Sequence, residues 1–127
     1  MIKFAVALIC LVLLNMTLVE AQQNDAPIMK KYTFVLLKKG ENRNQDSASI
    51  VVIQKGHMDH INEMAQNGDL NVAGPFLDDG FFRGIFIFNT EDTVKVKKLI
   101  EADPAIKSGR LAYEMHPWMT QKGTVFK

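Results

Sequence analysis

The chain has 127 residues, of which 47% are hydrophobic and 23% are charged, and its formal net charge is +1. These values predict one ordinary globular domain and leave too little chain for two. A nucleic-acid partner is not expected, because such proteins need an excess of basic residues to displace counterions from the phosphates.

The N-terminus has the pattern of a secretory signal peptide. Lys3 precedes an unbroken apolar run over residues 4–14, and the small residue Ala21 suits a cleavage site. The run is shorter than the ~20 apolar residues that span a bilayer. We therefore predict a signal peptide over residues 1–21, export to the periplasm or medium, and no membrane contact after cleavage. Cys10, the only cysteine, leaves with the signal, so the mature protein has neither a disulfide nor a thiolate.

The first strand and first helix follow a short lead-in. Residues 22–31 are polar and contain a proline, which is typical of a flexible segment before the domain at 32–127. Residues 32–37 are rich in β-branched and aromatic side chains and predict a strand. Residues 47–67 have helical periodicity, and Gly68 suits the end of that helix. One apolar sector of this helix contains Ile50, Ile53, His57, Ile61 and Met64.

The second half of the domain predicts a hairpin, a helix and a last strand. Residues 70–76 and 81–88 flank an Asp-Asp-Gly turn and predict two paired strands, the second of them central in the sheet. Thr90 is the predicted N-cap of the second helix, and Pro104 is predicted to end it. Residues 111–118 predict the last strand.

This βαββαβ order predicts an α+β, ferredoxin-like fold: a four-stranded antiparallel sheet with two helices on one face. The strand at 81–88 is apolar on both faces, and two helices cover only one face of a sheet. The simplest cover for the other face is a second copy of the same sheet. The sequence therefore predicts a homodimer with facing sheets.

His57 and Asp103 are polar residues at positions where the helical pattern calls for hydrophobic ones. Asp103 is predicted on the apolar face of the second helix, in its last turn, where a carboxylate is unfavourable. If the two side chains meet, the carboxylate selects the imidazole tautomer and leaves the other nitrogen as a general base or acid. The alternative interpretation is a structural pair, a core histidine and an Asp-Pro turn.

The sequence also contains candidate ligands to a metal. His57 and His60 are spaced i, i+3, which suits a shared metal, with Asp103 or His116 as a third ligand. The run is not HExxH, however, and no cofactor-binding loop is present. We therefore predict neither a metal nor a cofactor.

Three residues are candidates for contact with a small-molecule substrate: Arg83, His60 and His116. Arg83 lies on an otherwise apolar strand, and Arg110 flanks the last strand. Either guanidinium could orient an anionic ligand. A salt bridge with an acidic residue is the alternative for both arginines.

Several runs along the chain resemble those of YCII-like proteins: residues 56–61, Gly68, residues 73–76, 84–88, 102–104 and 116–118. The resemblance covers about residues 32–118. It implies a dimeric α/β barrel and a histidine–aspartate pair in a cleft, which falls here on His57 and Asp103. One branch of these proteins is similar to dehydrochlorinases of chlorinated hydroxyquinols, and the fold is shared with muconolactone isomerases.

Together these observations lead to the hypothesis of an exported lyase or isomerase that acts on a small molecule by proton transfer. His57 would be the general base or acid, and Asp103 would orient it. The alternative hypothesis is a non-catalytic module that binds a small ligand or another protein at a site centred elsewhere.

Overall fold

The computed structural model describes residues 26–127. The predicted signal peptide, its cleavage site and the first residues of the lead-in lie outside the described residues. Within residues 26–127, no helix has both the length and the apolar character needed to cross a membrane.

The described residues form a four-stranded antiparallel sheet with helices on one face, the predicted α+β, ferredoxin-like fold. The strand order is β2-β3-β1-β4, so β3 is central as predicted. In chain order the elements are β1 (Met29–Lys39), α1 (Ser47–Gln66), β2 (Leu70–Pro75), β3 (Phe82–Phe88), α2 (Thr93–Glu101), α3 (Pro104–Lys107) and β4 (Leu111–Gln121).

The core lies between the helices and one face of the sheet. Alternation along β1 turns Val35 and Leu37 towards the helices, where they meet residues of α1 and α2 such as Met64 and Ile100. Side chains at the alternate positions point to the opposite face. The opposite face carries Phe34, Leu36, Val72, Ile85, Ile87 and Trp118.

The first and last strands of the chain, β1 and β4, are longer than the sequence pattern predicts. β1 begins at Met29, so it includes three residues assigned to the lead-in, and β4 continues to Gln121. The two strands pair without a break from Met29↔Gln121 to Lys39↔Leu111. The polar residues at these strand ends are held by backbone pairing with residues some 90 positions away in the chain (29 with 121). Local composition does not reveal such pairing.

The predicted N-cap of α2 was wrong by two residues. Asp92 is the cap, and its carboxylate accepts hydrogen bonds from the amides of Val94 and Lys95, both at 3.0 Å. Thr90 instead accepts from the Asp92 amide through its hydroxyl. A carboxylate that satisfies two unpaired amides caps a helix better than a hydroxyl that satisfies one.

The prediction for the end of α2 was also wrong. The helix ends at Glu101, and Ala102 is its C-cap, so Asp103 is not in its last turn. Asp103 is the N-cap of α3, and Pro104 is the first residue of that short helix. Proline suits this position because the first turn of a helix leaves its amides without partners. The carboxylate thus lies at the favourable end of a helix.

Candidate active site

His57 lies on the inner side of α1, at a position that the helical period turns towards the sheet. Its side chain is largely buried, and the residue is 8% exposed. The imidazole stacks over Phe86 of β3, with 6.2 Å between ring centroids and 29° between planes. The strand thus supports the ring from below and limits its rotation.

Asp103 holds the same imidazole from the other side. Its Oδ2 lies 2.7 Å from Nδ1 of His57, and its Oδ1 accepts a 2.8 Å hydrogen bond from the Ala105 amide. The residue is 1% exposed. With the imidazole neutral, the tautomer that fits this pair carries its proton on Nδ1 and donates it to the carboxylate. Nε2 is then an acceptor.

Nε2 of His57 is accessible. The histidine lines a cavity beside α1, and Nε2 has no hydrogen-bond partner within residues 26–127. In the same part of the chain, no fully buried side-chain nitrogen or oxygen lacks a partner. Nε2 therefore reaches the cavity, where it can accept a proton from a bound molecule.

Gly56 allows the two helices that carry this pair to approach each other. A Cβ at this position would lie 2.9 Å from Cγ and 3.3 Å from Cβ of Pro104. That is closer than real Cβ contacts, so any side chain would push α3 away from α1. The absence of a side chain next to His57 thus keeps Asp103 within hydrogen-bond reach.

The cavity beside His57 has a volume of about 370 Å³. This volume suits a small, single-ring ligand, since drug-sized pockets run from ~300 to 1,000 Å³. Most of its wall is apolar and comes from α1, the sheet and α3. The apolar lining includes Leu37, Ile53, Met58, Ile61, Phe86, Ala105 and Leu111.

Three arginines line the same cavity: Arg43, Arg83 and Arg110. Arg43 donates a 2.8 Å hydrogen bond to the Arg110 carbonyl, and Arg110 donates one of 3.3 Å to the side chain of Gln45. Arg83 donates to Asp79 at 3.1 Å. Burial lowers the pKa of Arg43 from its ordinary value, and the positive charges of Arg110 and then Arg83 lower it further.

Backbone contacts fix the loop that carries Arg43. The loop after β1 packs on the turn before β4, with Gly40 donating to the Arg110 carbonyl and Asn42 to the Gly109 carbonyl, both at 3.0 Å. Gly109 has φ +72°, a left-handed conformation that favours glycine. A Cβ on Gly40 would lie 2.0 Å from the Gly109 oxygen. Gly40 and Gly109 therefore allow the close backbone contact that brings Arg43 and Arg110 to one wall of the cavity.

A family model described as the YCII-related domain matches residues 32–119, most of the chain. The chain belongs to the YCII-related family. No curated protein matches it significantly in sequence.

Among solved structures, this YCII-related chain is similar to a dehydrochlorinase from Burkholderia phenoliruptrix AC1100. That protein acts on 5-chloro-2-hydroxyhydroquinone and was solved in complex with 2,5-dihydroxybenzoquinone. The two share 22% sequence identity, and the match covers 68% of this chain and 92% of that chain with a TM-score of 0.48.

The candidate substrate-binding residues of this YCII-related protein do not all meet. Arg83 reaches the cavity because the pairing of β1 with β3 shifts there: Leu37 faces Gly84 and Lys38 faces Phe82, so Arg83 has no partner on β1. Such irregularities commonly re-aim a side chain. His60 and His116 are not among the residues that line the cavity.

The structure gives His60 and His116 other contacts. Nε2 of His60 lies 2.7 Å from the Leu99 carbonyl, which ties α1 to α2. His116 is exposed on β4, paired with Phe34 on the face opposite the helices. Within residues 26–127, no three His, Cys, Asp or Glu side chains are grouped closely enough to hold a metal ion.

Sequence reasoning missed Arg43 altogether. It lies in a polar loop with no periodic pattern, where an arginine normally indicates solvated surface. Nothing in the sequence of this loop pointed to Arg43. Arg110 was considered as an anion ligand, and it lines the cavity.

Proposed function

We propose that the protein is a lyase or isomerase that moves a proton on a small molecule bound in the cavity. The observation that carries the proposal is the buried hydrogen bond between His57 Nδ1 and Asp103 Oδ2 at the cavity wall. Nε2 of His57 takes a proton from a carbon next to a carbonyl group, and the electron pair moves onto the carbonyl oxygen. The charge on Asp103 stabilises the imidazolium that forms.

The carbanion or enolate intermediate can react further in two ways. The imidazolium returns the proton to a different carbon, which is an isomerisation, or a leaving group such as chloride departs from the neighbouring carbon, which is an elimination. Arg83 lies in the cavity wall and would stabilise the oxygen that gains negative charge. Neither outcome needs a cofactor.

The experiment is a proton-exchange assay with a panel of small cyclic acids, quinols and chlorinated hydroxyquinols in D₂O, followed by NMR. Wild-type protein should exchange or convert at least one compound. His57→Asn should lower that rate by about 10²- to 10⁴-fold, the usual contribution of a general base. Circular dichroism melting checks that the variant remains folded.

His116→Asn is the matched control, because it makes the same chemical change on an exposed strand position outside the cavity. Its rate should equal that of wild type. Retained exchange in His57→Asn would contradict the proposal. Loss of folding in His57→Asn would indicate the structural role instead.

A non-catalytic binding module is the second candidate. The specific observation in its favour is the arginine-lined wall, since three cations beside an apolar surface retain an anionic ligand without any chemistry. This candidate predicts ligand-induced thermal stabilisation with no exchange on any compound of the panel. His57→Asn would then bind as well as wild type.

We also propose that the protein is a homodimer in which the faces opposite the helices pack together. That face carries the partly exposed apolar side chains Phe34, Leu36 and Ile85, and Trp118 at its edge is 39% exposed. Monomeric proteins rarely leave a contiguous apolar patch of this kind in water. A second copy presents the same patch, so a twofold axis makes the surface self-complementary.

We also propose that the protein is exported. The support is the signal-peptide pattern of residues 1–21, which has a basic start, an apolar run and a small residue at the cleavage position. N-terminal sequencing of the protein recovered from its natural source should begin at Gln22. A sequence that begins at Met1 would contradict it.

A further inference from the structure

The wall of the His57 cavity carries an excess of positive charge from three separate parts of the chain. Arg43 comes from the loop after β1, Arg83 from the start of β3 and Arg110 from the turn before β4. Three segments that are distant in sequence rarely bring like charges together without a partner, because their mutual repulsion costs free energy in the folded state.

Acidic residues balance this charge only in part, through Asp79 on Arg83 and Asp103 on His57. The residues that line the cavity include no aspartate or glutamate. Arg83 has an ion pair with Asp79, but the Asp79 side chain is 94% exposed, so solvent screens the attraction. Within residues 26–127, neither Arg43 nor Arg110 forms an ion pair, and the hydrogen bonds that their side chains donate go to a carbonyl and an amide oxygen.

The lowered pKa of Arg43 reflects the same excess of positive charge. Burial lowers its pKa first, Arg110 and Arg83 lower it further, and Asp79 offers only a smaller opposing effect. An anion bound beside the three guanidinium groups would offset part of this repulsion.

We infer that the cavity binds small ring compounds that carry a carboxylate, and that Arg43, Arg83 and Arg110 form its carboxylate-binding subsite. This inference names the substrate class of the proposed function and rests on the cavity being the ligand site. The planar guanidinium fork matches the two oxygens of a carboxylate, which favours a carboxylate over a single phenolate oxygen. The apolar wall of Ile53, Ile61 and Phe86 then receives the ring.

The size of the cavity agrees with this assignment. About 370 Å³ lies at the small end of ligand pockets and suits one ring with its substituents. Because the arginines and His57 line the same cavity, a carboxylate held by the arginines would place the ring of the same molecule beside Nε2.

Isothermal titration calorimetry with benzoate and its neutral isostere benzamide tests the inference on the full domain. Benzoate should bind at least about tenfold more tightly than benzamide, and its affinity should fall as salt is added. Arg43→Gln and Arg110→Gln should each weaken benzoate binding by about 10- to 100-fold and leave benzamide unchanged, since a hydrogen bond to a charged group contributes that much. Arg110→Lys should retain part of the affinity.

Lys55→Gln is the matched control, because Lys55 is an exposed cation on α1 outside the cavity and pairs with Asp59. It removes the same charge and should bind benzoate as wild type does. Equal affinity for benzoate and benzamide would overturn the inference, as would arginine variants that bind benzoate normally. Tighter binding of 4-nitrophenolate than of benzoate would overturn the choice of carboxylate.

Benzoate binding and proton exchange test the subsite and the proposed catalysis separately. His57→Asn keeps all three arginines, so it should retain the preference for benzoate over benzamide. Arginine-dependent binding of benzoate without proton exchange on any compound would support the subsite and refute the lyase or isomerase. Exchange on neutral compounds alone, with no preference for carboxylates, would support the chemistry and refute the subsite.

Discussion

Asp103 performs two tasks with one carboxylate, because Oδ2 accepts from His57 and Oδ1 caps α3 through the Ala105 amide. Both oxygens are occupied, and the side chain is enclosed. The cap fixes the carboxylate in the orientation that the histidine requires. The same carboxylate therefore caps α3 and orients His57, and removing it would disturb both the helix and the imidazole.

Asp103→Asn tests the tautomer. The amide oxygen still caps α3, but the NH₂ group must then face Nδ1 of His57 and donate to it. The imidazole proton moves to Nε2, which becomes a donor and no longer accepts a proton. We expect proton exchange on a reactive compound to fall by about 10²- to 10⁴-fold, with stability lowered by about 1–2 kcal/mol.

Asp92→Asn is the control for the stability term, since Asp92 caps α2 in the same way and has no histidine partner. It should cost comparable or less stability and leave the exchange rate unchanged. An equal rate loss in both variants would mean that Asp103 acts through the fold alone. Urea denaturation and NMR exchange on the same samples supply the two measurements.

Individual positions differ in how far the sequence predicts them. His57 interrupts an apolar helical stripe, so the pattern alone singles it out. Asp103 was also singled out, but for a wrong reason, since it caps α3 and is not in the last turn of α2. Arg43 carried no signal, because nothing in a polar loop indicates which cavity wall it will join.

The pairing of α1 with α3 depends on one glycine in the middle of a long helix. Glycine at an exposed helix position costs ~1 kcal/mol relative to alanine. Here the close approach of Pro104 compensates, because it lets the two helices that carry the histidine and the aspartate pack in contact; a Cβ on Gly56 would lie only 2.9 Å from Pro104 Cγ. The contact between Gly56 and Pro104 exists only when α1 and α3 are packed together.

Gly56→Ala should therefore lower stability, although alanine favours helices. The steric overlap with Pro104 costs about 1–3 kcal/mol, which exceeds the gain in helix propensity. The displaced α3 should lengthen the hydrogen bond from His57 to Asp103 and reduce proton exchange by about 10-fold or more. Thermal melting and the NMR exchange rate measure the two effects.

Gly68→Ala is the control that separates a loss of stability from a displacement of α3. Gly68 has φ +76° at the end of α1, and a Cβ there meets no heavy atom within 4 Å. Alanine in this left-handed conformation costs about 1–2 kcal/mol but touches neither helix contact nor cavity. We expect a similar loss of stability with an unchanged exchange rate. A normal rate in Gly56→Ala would show that the approach of Pro104 does not position Asp103.

The sheet as a whole buries one face under helices and leaves the other to be covered by a second copy, as proposed above. Trp118 packs against Tyr32 and Phe34 on that other face, with ring centroids 6.0 and 6.5 Å apart. These aromatic contacts keep the surface ordered, so little side-chain entropy is lost when a partner sheet docks.

Trp118→Glu should convert the dimer to a monomer. A charge within a docking surface has to be desolvated on association, which costs several kcal/mol. Val51→Glu is the control, because Val51 is exposed on the outer side of α1. Sedimentation equilibrium should give a dimer for wild type and for Val51→Glu, and a monomer for Trp118→Glu. A wild-type monomer would refute the paired sheets.

The order of elements and the sheet arrangement followed from the chain alone, because apolar periodicity and turn residues are local properties that each segment carries with it. The same local rules marked His57 as out of place in an apolar stripe. The extra residues of β1 and β4, the role of Asp103 as the cap of α3 and the meeting of three arginines at one cavity depended on contacts between distant segments. Such contacts arise only when the sheet has paired and the helices have packed on it, so no window of sequence contains them.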